Sequence, residues 1–344
     1  MELSKQNVEE TKGVAILFML LLHLFCTKSY ESLFQPIIYV GKYPLIYYLA
    51  LFGDCCVALY CFCSGYGLMY NYKNDKTNYS KKNRKRILNL YIKYWITIVL
   101  FVLIGGVLLN KPGYPGSINK FLLTITGISP AYNGAWWFFT TYILLVAFSK
   151  QINEIILKRS SLLIVFLSLI FYVLGYVQRI KVPIVLNNVY LDYLLRQLAL
   201  FGTSQLPFIL GGIFQKEKIY SKINKKISKL KYKDILLGLI IAGLIIVHSF
   251  IETLFIAVFT GIIFIVCFNL IEKKNYISRF FRYMGKHSTN LWLIHMFFYM
   301  IYFKSLVYSP KYPILIYIWL ILICLPFSYL INYLESKVLN VKRR

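Results

Sequence analysis

The chain has 344 residues, 58% of them hydrophobic and 18% aromatic, with a mean hydropathy of +0.61. A soluble domain of this composition would aggregate, so the chain reads as an all-α, polytopic membrane protein. Its formal net charge of +26 does not indicate nucleic acid, because the cations gather in segments between apolar runs, where the positive-inside bias places them.

About ten apolar runs of spanning or near-spanning length follow one another, near residues 13–34, 44–70, 87–109, 134–149, 160–177, 194–214, 234–249, 251–270, 289–307 and 313–334. They leave no room for a soluble domain. No repeat or linker divides the chain, so residues 1–344 are expected to form a single integral-membrane domain. The first run lacks the small residues of a signal-peptide cleavage site and is kept as a span. Counted over alternate connecting segments, Lys and Arg number roughly 29 on one side and roughly 9 on the other. Both termini are therefore predicted cytoplasmic. The KKNRKR cluster at 81–86 and the basic stretch at 216–233 share that face, beside anionic lipid headgroups. The outward segment near 110–133 carries Pro112, Gly113, Pro115 and Gly116, and reads as a turn-rich connector or as the lining of a substrate entrance. All seven cysteines fall in apolar runs without ligand spacing, so packing explains them and neither a disulfide nor a metal site is expected.

Lys12 and His23 bracket the first run. Eleven helical steps return to within about 20° of the start, so the two side chains share a face, about 16 Å apart along the axis. That sets a cation at the membrane edge and an imidazole near mid-bilayer, where an ionisable group is costly and signals function. The alternative is a histidine hydrogen-bonded between helices. In the second run Asp54 is the candidate partner that would fix the tautomer of His23 and stabilise its imidazolium, while Gly65 and Gly67 suit close helix contact. In the third, Arg86 and Lys93 lie one heptad apart with Asn89 between them. This basic strip and Lys12 would receive phosphates from the cytoplasm; for Lys93 snorkelling is the alternative. Trp136 and Trp137 open the fourth run and suit an interfacial belt. The ninth carries Ser288 and, about 10 Å beyond it, a second intramembrane histidine, His295. His287 and His248 lie nearer the ends of their runs.

The segments TKGVAILFMLLLHLF, VALYCFCSGYG, RKRILNLYIKYW, WWFFTTYILL and HSTNLWLIHMFF occur in the order of the motifs of the membrane-integral acyltransferase 3 family, which the chain resembles. Lys12 stands where that family more often has Arg, eleven residues before the histidine matched by His23. Ser64 and Gly65 match the end of the second motif, whose Asp position is Ala58 here, so any acidic role passes to Asp54. Of the family's Arg-x-x-Arg pair only Arg86 is present, with Asn89 at the second position, and Lys93 or Arg84 would compensate. Trp137, Phe138 and Tyr142 match the fourth motif, and Ser288, Trp292, Leu293 and His295 the last.

The resemblance implies an enzyme that moves an acyl group, commonly acetyl, from cytoplasmic acyl-CoA to a hydroxyl of a surface polysaccharide or its lipid-linked precursor, with no permanently bound cofactor. Lys12 and Arg86, with Lys93 or Arg84, would meet the CoA phosphates. His23 would act as general base on the acceptor hydroxyl or take the acyl group itself. The expected location is a plasma membrane, and the Lys-, Asn-, Ile- and Tyr-rich composition points to a bacterium. Many members carry a fused extracellular hydrolase-like domain; here the chain ends at Arg344 just after its last run, as expected of a stand-alone member. Two alternatives stay open: a transporter or flippase for lipid-linked glycans, and a membrane acyltransferase acting on lipid or protein. Inverted repeats and Gly/Pro-broken helix pairs, which favour a transporter, are not seen in the sequence. The acyl group, the sugar modified and the oligomeric state are not legible.

The cation asymmetry predicts that a reporter fused at residue 220, or at either terminus, stays cytoplasmic. Labelling of a residue-220 reporter by a membrane-impermeant reagent applied outside intact cells would overturn the orientation.

Overall fold

A computed structural model describes residues 2–341. Helix α1 (Lys5–Phe25) is followed by a two-residue antiparallel pair, β1 (Tyr39–Val40) and β2 (Tyr43–Pro44), and then by α2 (Leu45–Leu51) and α3 (Cys56–Asn74). Next come α4 (Tyr79–Thr97), which runs on through a π-helical segment (Ile98–Ile104), the short α5 (Gly105–Leu108) and α6 (Ile118–Ile125). α7 (Trp137–Ala147), α8 (Ser149–Lys158), α9 (Ser161–Tyr176), α10 (Val189–Glu217), α11 (Ile219–Ile227), α12 (Lys233–Phe250) and α13 (Ala257–Leu270) follow. α14 (Asn275–Met296) passes into a second π segment (Phe297–Tyr302), and α15 (Lys304–Tyr308) and α16 (Pro313–Val341) close the described chain.

Among the described residues six helical stretches are long and apolar enough to cross a membrane: Leu45–Asn74, Tyr79–Leu108, Ser161–Lys181, Val189–Glu217, Lys233–Phe250 and Pro313–Asn340. Gly134–Ala147 and Leu254–Leu270 are apolar but shorter. α1 and α14 open on polar turns, KQNVEETK and NYISRFFRY, and become apolar only in their second halves. The chain is thus an all-α polytopic membrane protein. Some boundaries differ from the sequence expectation. The first run was expected to reach residue 34, but its helix stops at Phe25, where Thr27, Lys28 and Ser29 favour a turn over continued helix. The 110–133 segment is no plain connector, since Ser117 caps α6 within it by accepting from the Lys120 amide.

Two compact units make up the chain: Met1–Ala15, Asp54–Asn83 and Thr141–Gly285 form unit 1; Ile16–Gly53, Arg84–Thr140 and Lys286–Arg344 form unit 2.

In unit 1 helices meet at glycines. A Cβ on Gly65 of α3 would lie 1.9 Å from the Phe208 carbonyl oxygen of α10, and one on Gly211 of α10 would lie 2.2 Å from that of Phe62. Gly13 of α1 faces the Phe281 carbonyl of α14 in the same way, and Gly285 of α14 faces the Glu9 carbonyl. Lipid supplies no hydrophobic drive for helices to associate, so such close backbone approach is what dispersion needs. Gly67 has open space around it and packs against nothing, unlike its expected role. Between α9 and α10, Ser168 donates to Gln205 Oε1 at 2.6 Å and Gln205 Nε2 returns a bond to the Ser168 carbonyl at 2.8 Å. At the turn between α3 and α4, outside the spans, Lys82 and the Asn78 amide hold the Asp75 carboxyl well below its usual range.

In unit 2 the aromatic stretch of α4 caps α6. Tyr94 and Tyr91 donate to the carbonyls of Thr124 and Thr126, both at 2.8 Å, and Trp95 Nε1 to that of Ile125 at 2.9 Å. These are carbonyls that a helix end leaves without intrahelical partners. Trp136 lies in no interfacial belt: it is fully buried, and its indole donates to the Leu293 carbonyl at 3.0 Å. Asn133 donates to the same oxygen at 3.0 Å, and Trp292 Nε1 donates to the Ala135 carbonyl at 2.9 Å.

The glycine contacts are directly testable. Gly65→Val should abolish monodisperse protein in detergent, as read by size-exclusion chromatography. Gly67→Ala should leave the yield unchanged or improve it, because the site has room and alanine favours helix by about 1 kcal/mol.

Candidate functional site

His23 sits in the last turn of α1, two residues before the helix ends, so the imidazole is carried near the helix terminus and not at its centre. In unit 2 it meets a second histidine. Nδ1 of His23 lies 2.8 Å from Nε2 of His295, with ring centres 4.8 Å apart. His295 is completely buried, His23 half-buried. Tyr299, one turn beyond His295, stacks on its ring at 5.9 Å and 11°.

The backbone decides the tautomers. His295 Nδ1 lies 3.0 Å from the carbonyl oxygens of both Leu291 and Trp292. A carbonyl only accepts, so this nitrogen carries the hydrogen, and in the neutral ring Nε2 holds the lone pair. His23 must then donate from Nδ1. Its own lone pair falls on Nε2.

The partner expected from sequence was Asp54. Asp54 belongs to unit 1, where its Oδ2 is 3.9 Å from Nε2 of the fully buried His248. A signal was available: His295 follows Gly285 by the same ten residues that separate His23 from Gly13.

Of the basic residues, Arg86 is half-buried and Arg84 exposed, both on α4 in unit 2. Lys93 neither snorkels nor stands as an isolated cation. Its ammonium lies 3.1 Å from Glu335 and donates to Asn332 at 2.7 Å and Asn290 at 3.3 Å. Asn290 in turn donates to the Ser328 carbonyl at 2.9 Å, and Ser328 Oγ is 2.8 Å from His287 Nδ1. Glu335 went unnoticed in the sequence because it lies at the polar end of the last run. Asn89, between Arg86 and Lys93, has a buried side-chain oxygen without a hydrogen-bond partner among the described residues. Lys12 is half-buried in unit 1, where the Tyr60 hydroxyl of α3 donates to its carbonyl at 3.3 Å. Ser64, Gly65 and Tyr142 also lie in unit 1. Trp137 and the buried Ser288 lie in unit 2, the latter two turns before His295 on α14.

Unit 2 thus holds a paired imidazole with defined tautomers and, on α4, the half-buried guanidinium of Arg86. No curated protein and no solved structure gives a significant match to the chain. The family comparison matches residues 8–333 to the acyltransferase 3 family, described as an acyltransferase domain. That range includes every residue from Lys12 to His295 on which the resemblance rested, and the chain belongs to the acyltransferase 3 family of membrane proteins.

Proposed function

We propose that the chain is an O-acyltransferase, specifically an O-acetyltransferase of a bacterial plasma membrane. It would move an acetyl group from cytoplasmic acetyl-CoA to a hydroxyl of a surface polysaccharide or its lipid-linked precursor. The single observation that carries this reading is the 2.8 Å contact between His23 and His295, which directs the reactive lone pair of His23 to Nε2.

In this reaction the acceptor oxygen attacks the thioester carbon while its proton passes to His23 Nε2. The carbon–sulfur bond then breaks and the same proton goes to the departing thiolate, so no net proton is consumed. While His23 is an imidazolium, its Nδ1–H bond to His295 becomes charge-assisted and roughly doubles in strength. His295 stays neutral throughout and needs no proton of its own. Arg86 supplies a planar fork suited to a CoA phosphate. Lys93, already matched to Glu335, contributes less to donor binding, and the exposed Arg84 makes at most a screened contact.

His23→Ala should abolish glycan acetylation, measured by mass spectrometry of purified surface polysaccharide, with protein abundance maintained. His23→Gln retains hydrogen bonding but cannot take a proton at working pH, and should be equally inactive; near-normal acetylation in this variant would end the assignment.

His295→Leu should lower turnover about 10²-fold or more, the scale of a misdirected general base. His295→Gln should recover a measurable part of it, because the amide oxygen can accept from His23 Nδ1. Equal loss in both variants would mean that His295 handles a proton itself.

Arg86→Ala should raise the KM for acetyl-CoA at least tenfold with a smaller change in kcat, and Arg86→Lys should lie between. An unchanged KM for acetyl-CoA removes Arg86 from the donor site.

A further inference from the structure

In unit 1 the connection between α9 and α10 turns its side chains the wrong way round for a loop in water. α9 continues through a π-helical turn to Lys181, and α10 opens at Val189. Between them Val182, Ile184, Val185 and Leu186 are each at least half exposed, and the next apolar pair, Val189 and Tyr190, is 83% and 85% exposed. Apolar surface of this extent outside a helical span marks an interaction site.

The polar side chains turn to the backbone instead. Gln178 brackets Ile184, donating from Nε2 to its carbonyl at 3.0 Å and accepting its amide on Oε1 at 3.0 Å. Asp192 accepts the Leu186 amide at 2.7 Å, and Asn188 accepts those of Tyr190 and Leu191 at 3.1 and 3.2 Å. The Val182 amide donates to the Val177 carbonyl at 2.9 Å, and Pro183 has no amide hydrogen to place. In water an irregular loop leaves such groups to solvent, whereas beside lipid every unpaired one is costly. A protein partner can supply hydrogen bonds to the backbone it covers. A hydrocarbon cannot, and this loop supplies its own.

Depth follows from length. The apolar stretch Ser161–Lys181 has 21 residues, about 30 Å of helix, which matches the hydrocarbon layer. Its exposed stripe, Phe166, Ile170, Val173, Leu174 and Val177, continues along the chain into the loop. The loop thus begins at headgroup level, and Lys181 is exposed at its start, where a cation meets lipid phosphates. Because α10 is also long enough to cross, this level lies on the side opposite the basic 216–233 stretch. We propose that residues 182–190 form an interfacial anchor, with their backbone among the headgroups of that leaflet and their apolar side chains in its acyl chains. The partner is the bilayer itself, and zwitterionic lipid suffices. The anchor seats unit 1 in the membrane whatever group the chain transfers.

The test uses the full chain reconstituted in phosphatidylcholine vesicles. A nitroxide is attached at Val185→Cys or Val189→Cys in a Cys26→Ser background, the six other cysteines being buried. Both sites are exposed, so the substitutions leave the fold intact. Collision of each probe with dissolved oxygen, which concentrates in the bilayer, should exceed collision with an aqueous nickel chelate severalfold. The reverse should hold for a reference probe at Lys225→Cys, an exposed position of α11. A collision ratio at either loop site that matches the Lys225→Cys probe would put the loop in water and overturn the anchor. Weak collision with both reagents, or dipolar broadening that vanishes on dilution with unlabelled chain, would mean that protein covers the loop, and would overturn it equally.

Discussion

Backbone-to-backbone approach at glycine is the constraint on which the arrangement depends. Within a membrane, helices gain nothing from leaving lipid for one another except packing and hydrogen bonds, and both decay steeply with distance. Gly13 and Gly285 let α1 and α14 touch carbonyl to Cα, in contacts that any larger side chain would enter by more than an ångström. Ten residues further along each helix, His23 and His295 come within hydrogen-bond range.

The second organising rule is that polar groups at membrane depth must be satisfied by the protein itself. The chain meets it by recruiting backbone carbonyls. His295 uses those of Leu291 and Trp292, Trp136 and Asn133 share that of Leu293, and the Tyr91–Trp95 stretch serves the end of α6. Lys93 is the charged version of the same rule: Glu335, Asn332 and Asn290 together offset the cost of a cation placed away from water.

Much of this was legible beforehand, and the reasons for the remainder are physical. Hydropathy and motif order suffice for the membrane architecture and the family, because both are properties of local sequence. His23 was conspicuous as well, since a histidine in an apolar run stands out wherever it folds. Partnerships were not legible. His23 with His295, Asp54 with His248, and Lys93 with Glu335 join residues far apart in the chain, and a lone polar residue in an apolar run does not announce which helix it will face. Trp136 misled for a related reason: a tryptophan at the mouth of a span fits an interfacial belt, and only the position of the Leu293 carbonyl reveals that it is buried. Gly65 and Gly67 looked equivalent, yet the two differ by 200° of helix rotation and only the first meets α10.

The shared carbonyl of Leu293 has a consequence for how the protein would respond to random mutation. In a regular α-helix this oxygen belongs to the amide of residue 297, and Phe297 is where α14 gives way to π-helix. Two side chains from another segment thus engage the backbone where the helix changes pitch, two residues from His295. Helix geometry at that point is set by an outside competitor and not by local propensity alone. Changes at Trp136 or Asn133 would therefore group with changes at His295 in a genetic screen, although neither side chain touches its ring.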